Sequence, residues 1–439
     1  MYLKKISLLF VLLVLSSCGW FGEREQPPLP GTRIEVLQNS ISINPDPALA
    51  GQKIILSSAA NNSDWTQLRV LPTHNPPMVS FDFPLQQIWR ANIGLGESTR
   101  HVLLMEPIVN KQMVFVVNGN LFVSAIDLTS GRIKWRMNLK TLGEKEEFTG
   151  AALGTNTDGS ILFVTTPFGK IYALNSQNGN KLWEQYIASP IHSAPVVSSK
   201  KIFITTMDSK LFVLEQDTGK LLWDFKGAQE NPTLFGSSAV AVTDDIVVVA
   251  FNSGEIAGLK TDNGQLIWSD AVGTARRGGE AANINSIKAA VVVDGDIVFI
   301  INHNTLLVAL DLKRGIRIWE APLGSTQTPW VSGQAMFLIS DTNQLVALER
   351  SSGRIFWLKS LNDFLTPEQR KSQVSWFGPI ISREGIIVGN SLGEILVINV
   401  QDHQLISKYQ ASTSIALAPI VTQNIMLILS KNGTISAFR

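Results

Sequence analysis

Ala125-Ile-Asp127-Leu-Thr-Ser-Gly131-Arg-Ile-Lys-Trp135 is the stretch that decides the fold. It reads as the end of one strand, a polar turn closed by glycine, and the start of a second strand carrying tryptophan. The Gly-x-x-x-Trp half returns at Gly179/Trp183, Gly219/Trp223, Gly264/Trp268, Gly315/Trp319 and Gly353/Trp357. A copy without the glycine stands at Leu85/Trp89, and a degenerate one at His403/Ser407. The seven intervals between positions 89 and 407 average about 45 residues, the length of a four-stranded propeller blade.

Each period repeats the same internal order. A short apolar segment follows proline or a small residue, as in Pro107-Ile-Val, Pro195-Val-Val and Pro419-Ile-Val. A β-branched run comes next, as in Met113-Val-Phe-Val-Val and Ile246-Val-Val-Val. An alternating strand follows a turn, as in Leu121-Phe-Val-Ser-Ala-Ile-Asp127, and the Trp strand closes the set. Short β-rich runs bounded by turn residues predict antiparallel hairpins. With the strands lettered A to D, the chain opens on a lone D around Trp89. It ends on A, B and C, the last being Gly433-Thr-Ile-Ser-Ala-Phe. The orphan D and the incomplete last set make one blade. The fold class is therefore all-β: an eight-bladed β-propeller of four-stranded antiparallel blades, the last closed by an N-terminal strand. Closure leaves no unmatched blade face.

The start of the chain sets the compartment. Lys4 and Lys5 precede an apolar run from Ile6 to Leu15. Ten helical residues rise about 15 Å, half of a hydrocarbon core of about 30 Å, so this is a secretory signal and no span. Leu15-Ser16-Ser17-Cys18 resembles a bacterial lipobox, whose cysteine becomes the lipidated N-terminus. Gly19 lacks the Asp that, in lipoproteins, retains the chain at the inner membrane, so the outer membrane is expected. The domains read as a signal peptide over 1–17, a flexible tether over 18–32 behind lipidated Cys18, an N-terminal extension packed on the propeller over 33–84, and the propeller over 85–439. Pro27, Pro28 and Pro30 would hold the tether extended.

Composition narrows the function. The chain of 439 residues carries 37 Lys+Arg against 36 Asp+Glu, and a single Cys. One cysteine excludes an internal disulfide and a multi-cysteine metal site. Near-zero charge excludes a nucleic-acid binder that works on bulk positive charge. Removing the signal changes the formal charge from +1 to −1, so electrostatic recognition must come from local loop charge.

The extended motif Ala-x-Asp-x-x-x-Gly-x-x-x-Trp resembles the tryptophan-docking motif of quinoprotein-type (PQQ-like) propellers. That resemblance implies that Trp89, Trp135, Trp183, Trp223, Trp268, Trp319 and Trp357 pack between neighbouring blades and are not ligand-stacking aromatics. A buried indole covers about 150–250 Å², worth about 4–6 kcal/mol as an upper bound. Quinoprotein dehydrogenases add an adjacent cysteine pair, a calcium site and a catalytic Asp. This sequence has no cysteine pair, and His74, His101, His192, His303 and His403 show no metal-ligand spacing. Asp127 and Asp311 recur with the repeat, as turn-capping groups do. No catalytic, cofactor-binding or metal residue is therefore assigned and no cofactor is expected. A periplasmic quinoprotein-like enzyme or ligand-binding propeller is the alternative reading.

Long excursions fall at the D–A crossings: 142–149, 224–235, 273–286 and 360–375. They share one face, where binding loops on a rigid scaffold belong. Arg276-Arg277 followed by Gly278-Gly279 makes a charged, flexible tip, Glu144-Lys-Glu-Glu147 a solvated one, and Pro367-Glu-Gln-Arg-Lys371 predicts a cap or a short helical turn.

A lipobox, a Pro-rich tether and a Trp-motif ring together resemble the BamB family of lipoproteins, over nearly the whole chain. Leu29-Pro-Gly-Thr-Arg-Ile-Glu-Val-Leu, Gln327-Thr-Pro-Trp-Val and Trp376-Phe-Gly-Pro resemble its alphaproteobacterial branch. The resemblance implies a non-enzymatic scaffold of the β-barrel assembly (BAM) complex in the periplasm, held by its lipid in the inner leaflet of the outer membrane. It implies binding to BamA POTRA domains and other BAM components, contact with nascent outer-membrane proteins, and no nucleic acid. It places partner contacts in two loops, through Lys226, Pro232, Leu234 and Phe235 in the first and Arg276, Arg277, Ile284 and Asn285 in the second. Better-known members carry acids in the second loop. Asn283-Ile-Asn-Ser-Ile-Lys288 has none, so either the complementary charges of the partner differ or the contact is not carried over.

Overall fold

The computed structural model describes residues 43–439, apart from 61, 99–102, 104, 141–149, 192, 229–237, 273–285, 304–305, 362–363 and 367–370. The signal segment, the tether and Cys18 lie outside the described residues. Among the described residues eight blades of four antiparallel strands follow one another in the order A-B-C-D, the seventh extended to six strands by the short parallel strands Ala59–Ala60 and Met78–Val79. Blades 1 to 7 run over 108–138, 152–186, 196–226, 241–271, 292–321, 330–360 and 376–410. Blade 8 takes Ile420–Thr422, Ile425–Leu429 and Thr434–Phe438 from the end of the chain and Gln87–Asn92 as its strand D. That strand pairs antiparallel with Thr434–Phe438, placing Trp89 opposite Ala437. Gln86 and Arg439 then exchange backbone hydrogen bonds at 2.8 Å.

The motif has a local physical logic. Ala125 pairs with Trp135, while Ile126 pairs with Ile133, so strand D carries one extra residue just before the tryptophan. The same bulge recurs in blades 2 to 7. A bulge re-aims a side chain, and the small residue opposite leaves room for the indole. Each tryptophan then reaches forward onto the next blade. A Cβ on Gly131, at φ +70°, would stand 2.7 Å from Trp89 Cδ2. The same approach joins Trp135 to Gly179, Trp183 to Gly219, Trp223 to Gly264, Trp268 to Gly315 and Trp319 to Gly353.

Six of the seven indole N–H groups also find the carbonyl three residues before that glycine, or before His403 in its place for Trp357. Trp89 Nε1 donates to Leu128 at 2.7 Å, Trp135 to Ser176 at 2.9 Å and Trp183 to Gln216 at 3.1 Å. Trp268, Trp319 and Trp357 follow with Leu312, Arg350 and Val400. Trp223 departs from the pattern. Its Nε1 is buried without a partner among the described residues, and the corresponding carbonyl of Thr261 accepts from Lys201 Nζ at 3.2 Å.

Blade 7 bears Ser407 where a tryptophan would sit, and the topology supplies the reason. Blade 8 takes its strand D from the chain start, so it has no C–D turn on which an indole could dock. Tyr409 instead stacks on Phe83, with ring centroids 5.5 Å apart, just ahead of the closing strand.

Residues 43–82 are laced across the A–B turn side of the ring. Asn62 accepts from Gln423 in blade 8, and Trp65 exchanges two backbone bonds with Val109 in blade 1. Thr66 accepts from Thr155 in blade 2, and Gln67 Oε1 from Val197 in blade 3. Pro72 and Thr73 accept from Val242 and Val293 in blades 4 and 5. Ser57 bonds Ser332 in blade 6 at 2.8 Å, and Met78–Val79 adds a parallel strand to blade 7. This segment, the strap, thus touches all eight blades. Arg69, Val70 and His74 hold φ of 53°, 68° and 55°, a region a β-branched residue enters only when its surroundings dictate it.

Of the segment Pro367–Lys371, expected to form a cap or a short helical turn, residues 367–370 lie outside the described residues. Lys371–Gln373 is a strand paired antiparallel with Phe364–Thr366.

Candidate functional site

The D–A crossings and the B–C turns share the face opposite the strap. Of the residues assigned to partner contact, Lys226 is described. It ends strand D of blade 3 (Leu221–Lys226), exposed and with no ion-pair partner among the described residues. Pro232, Leu234, Phe235, Arg276, Arg277, Ile284 and Asn285 lie outside the described residues.

The stems of both loops are described, and they converge on the B–C turn of blade 4. Phe225 stacks on Phe251 across the blade boundary, with centroids 6.3 Å apart and an interplanar angle of 10°. The Ala228 amide donates to the Glu255 carboxylate. On the other side, Val272 N–H donates to the Gly254 carbonyl at 2.7 Å. Residues 251–255 therefore root the first crossing and the start of the second. Sequence reading missed Phe251 and Glu255, because each is an ordinary strand-end residue until the blades meet. The second crossing returns at Ser286 and Ile287, both buried, and Lys288, which is exposed.

Lys288 also lines a central chamber of about 300 Å³, together with Leu68, Arg69, Glu106, Thr328 and Phe377. Its walls include residues just ahead of strand A in several blades, and Leu68 and Arg69 of the strap form its floor. Arg69 donates to the carbonyls of Pro379 at 2.9 Å and Thr328 at 2.7 Å, and lies over Trp330 at 5.2 Å from the ring centroid. Burial lowers its pKa to about 10, partly offset by the Glu106 charge. Burial pushes the Glu106 carboxyl up, and Arg69 opposes that shift. Among the described residues no group of three or more His, Cys, Asp or Glu could hold a metal ion.

Eight blades joined by seven docked tryptophans, a closing N-terminal strand and loop stems gathered on one face define a PQQ-like β-propeller built around its loop face. The chain belongs to the family described as outer membrane protein assembly factor BamB, whose model matches residues 120–359. The BamB of Salmonella typhimurium is 29% identical over 369 residues, covering 82% of this chain and 90% of the relative. The crystal structure of BamB from Moraxella catarrhalis superposes with a TM-score of 0.68 at 20% identity, covering 81% of this chain and all of that one. A quinohemoprotein alcohol dehydrogenase from Comamonas testosteroni shares the ring at a TM-score of 0.65 and 12% identity, covering 89% and 83%. At such identities the two structures share the fold alone. The relatives named BamB are outer membrane protein assembly factors.

Proposed function

We propose that the chain acts in outer-membrane protein assembly as a non-enzymatic scaffold, anchored through a lipid on Cys18 and facing the periplasm. It grips BamA POTRA domains with the loops over 226–235 and 276–287, and so assists folding and insertion of β-barrel proteins. The observation that carries this reading is the common root of the two loops. Phe251, Gly254 and Glu255 tie both stems to one rigid turn, so a partner would meet one composite surface. Loops fixed at a shared base lose less freedom on binding than independent ones. Family membership supports the assembly role, and the lipobox motif supports the anchor.

The test is affinity capture from detergent-solubilised envelopes, with the captured proteins identified by mass spectrometry. The wild type retains BamA; charge reversal of Lys226 and Arg277 together reduces it several-fold. Absence of BamA from the wild-type capture refutes the reading. A thermal shift dependent on calcium or PQQ would instead favour the quinoprotein-like alternative.

A further inference from the structure

Within the strap, one buried side chain has a hydrogen-bond inventory that only one protonation state satisfies. His74 is fully buried, and its Nδ1 lies 2.8 Å from the carbonyl oxygen of Val291, just ahead of strand A in blade 5. A carbonyl only accepts, so Nδ1 carries the proton and Nε2 the lone pair. Nε2 is buried with no partner among the described residues. Protonation there would create a second N–H with no acceptor and a cation with no counter-charge in contact. The charged groups around this turn are few. Arg69, on the same strap, adds positive potential at the ring. Asp294 accepts from Asn75 at 2.9 Å and is already paired with Arg350. Glu106 and Lys288 line the chamber above the floor to which Arg69 belongs.

We propose that residues 62–79 form an acid-releasable floor to the central channel, with His74 as the group whose protonation frees it. The strap is suited to local release. It holds the blades mostly through single backbone bonds to one strand after another, while each blade keeps its own four-strand ladder. Its φ values at Arg69, Val70 and His74 store strain that release would relieve. Once freed, the strap would uncover the A–B turn end of the channel.

The sign follows from linkage. Burial, with Arg69 adding to it, lowers the imidazole pKa to about 4 against 6.5 in the released strap. The closed form therefore binds the proton less well. Its advantage is fully present above about pH 6.5 and is lost as pH falls toward 4. Between pH 8 and pH 5 the open fraction should rise about 30-fold.

Hydrogen exchange read by mass spectrometry on the full chain, corrected for the intrinsic pH dependence of exchange, measures that fraction directly. The expected result is a rise of about that size confined to 62–79, with blade strands unchanged. His74→Gln, which keeps a donor for Val291 and cannot titrate, should show equal strap opening at both pH values. The proposal is overturned if wild-type strap opening is the same at pH 8 and pH 5, if the blades open in parallel with it, or if His74→Gln keeps the full pH response. Should the variant fail to fold, the wild-type pH series decides alone.

Discussion

Gly179 has no room for a side chain because the indole of Trp135, in the preceding blade, occupies the place: a Cβ there would lie 2.7 Å from Trp135 Cε3. Gly179 also holds φ +75°. Gly179→Ala should therefore lose about 2–4 kcal/mol, from strain at positive φ and from overpacking an inter-blade contact. Gly295→Ala is the control. Its φ is similar at +59°, but the nearest atom to its Cβ is Arg350 Nη2 at 3.7 Å. It should lose about 1 kcal/mol, from φ alone. Urea denaturation of the two variants separates the packing cost from the backbone cost.

The tryptophans are not equal as hydrogen-bond donors. Trp135→Phe removes a ring and orphans the Ser176 carbonyl. Trp223→Phe removes a similar ring from a site where Nε1 had no partner. Equilibrium denaturation should find Trp135→Phe costlier by about 1 kcal/mol. Equal losses would mean that the bond contributes nothing net.

The seam between blades 7 and 8 depends on Phe83 and Tyr409. A double-mutant cycle with Phe83→Leu and Tyr409→Leu should give a coupling of about 0.5–1.5 kcal/mol. Restoring the motif with Ser407→Trp should add no stability, because blade 8 offers no C–D turn to receive the ring. A rise in melting temperature for that variant would contradict the topological explanation.

Glu255 holds the stem of the first loop proposed to meet the partner. Glu255→Ala leaves the Ala228 amide without its carboxylate, so amides at 227–228 should exchange faster while the blades stay protected. BamA capture should fall with it, although Glu255 itself is only half-buried on the B–C turn.

A second local source of acid dependence is Asp208. Burial disfavours ionisation of Asp208, but hydrogen bonds from Lys210, Ser189 and Thr206 outweigh it and hold its pKa down to about 2. Lys210 Nζ stands 2.6 Å away. The folded pKa is depressed, so this stabilisation is present above about pH 4 and is lost as pH falls through 2. Asp208→Asn should flatten that part of the stability profile relative to the wild type, as measured by denaturant midpoints between pH 4 and pH 2.

The ring itself was legible along the chain, because a blade is made of neighbours in sequence. The alanine, glycine and tryptophan of one motif fall within eleven residues, and a bulged hairpin needs nothing beyond them. The count of periods and the orphan Trp89 strand implied eight blades and their closure. Even the degenerate His403/Ser407 copy was visible, although its cause lies in blade 8 having no C–D turn. The strap was not legible as a lacing. Residues 43–82 have no repeat, and their partners lie as far as 360 residues away, as Asn62 and Thr422 do. Nothing local tells Trp65 to meet Val109, or His74 to lose its solvent. The same holds for Phe251 and Glu255, which gain a role only when blade 3 delivers Phe225 and Ala228 to them. Periodic local order thus determined the architecture by itself. Long-range burial, which decides which polar atoms find partners and which are left without, belongs to the tertiary structure.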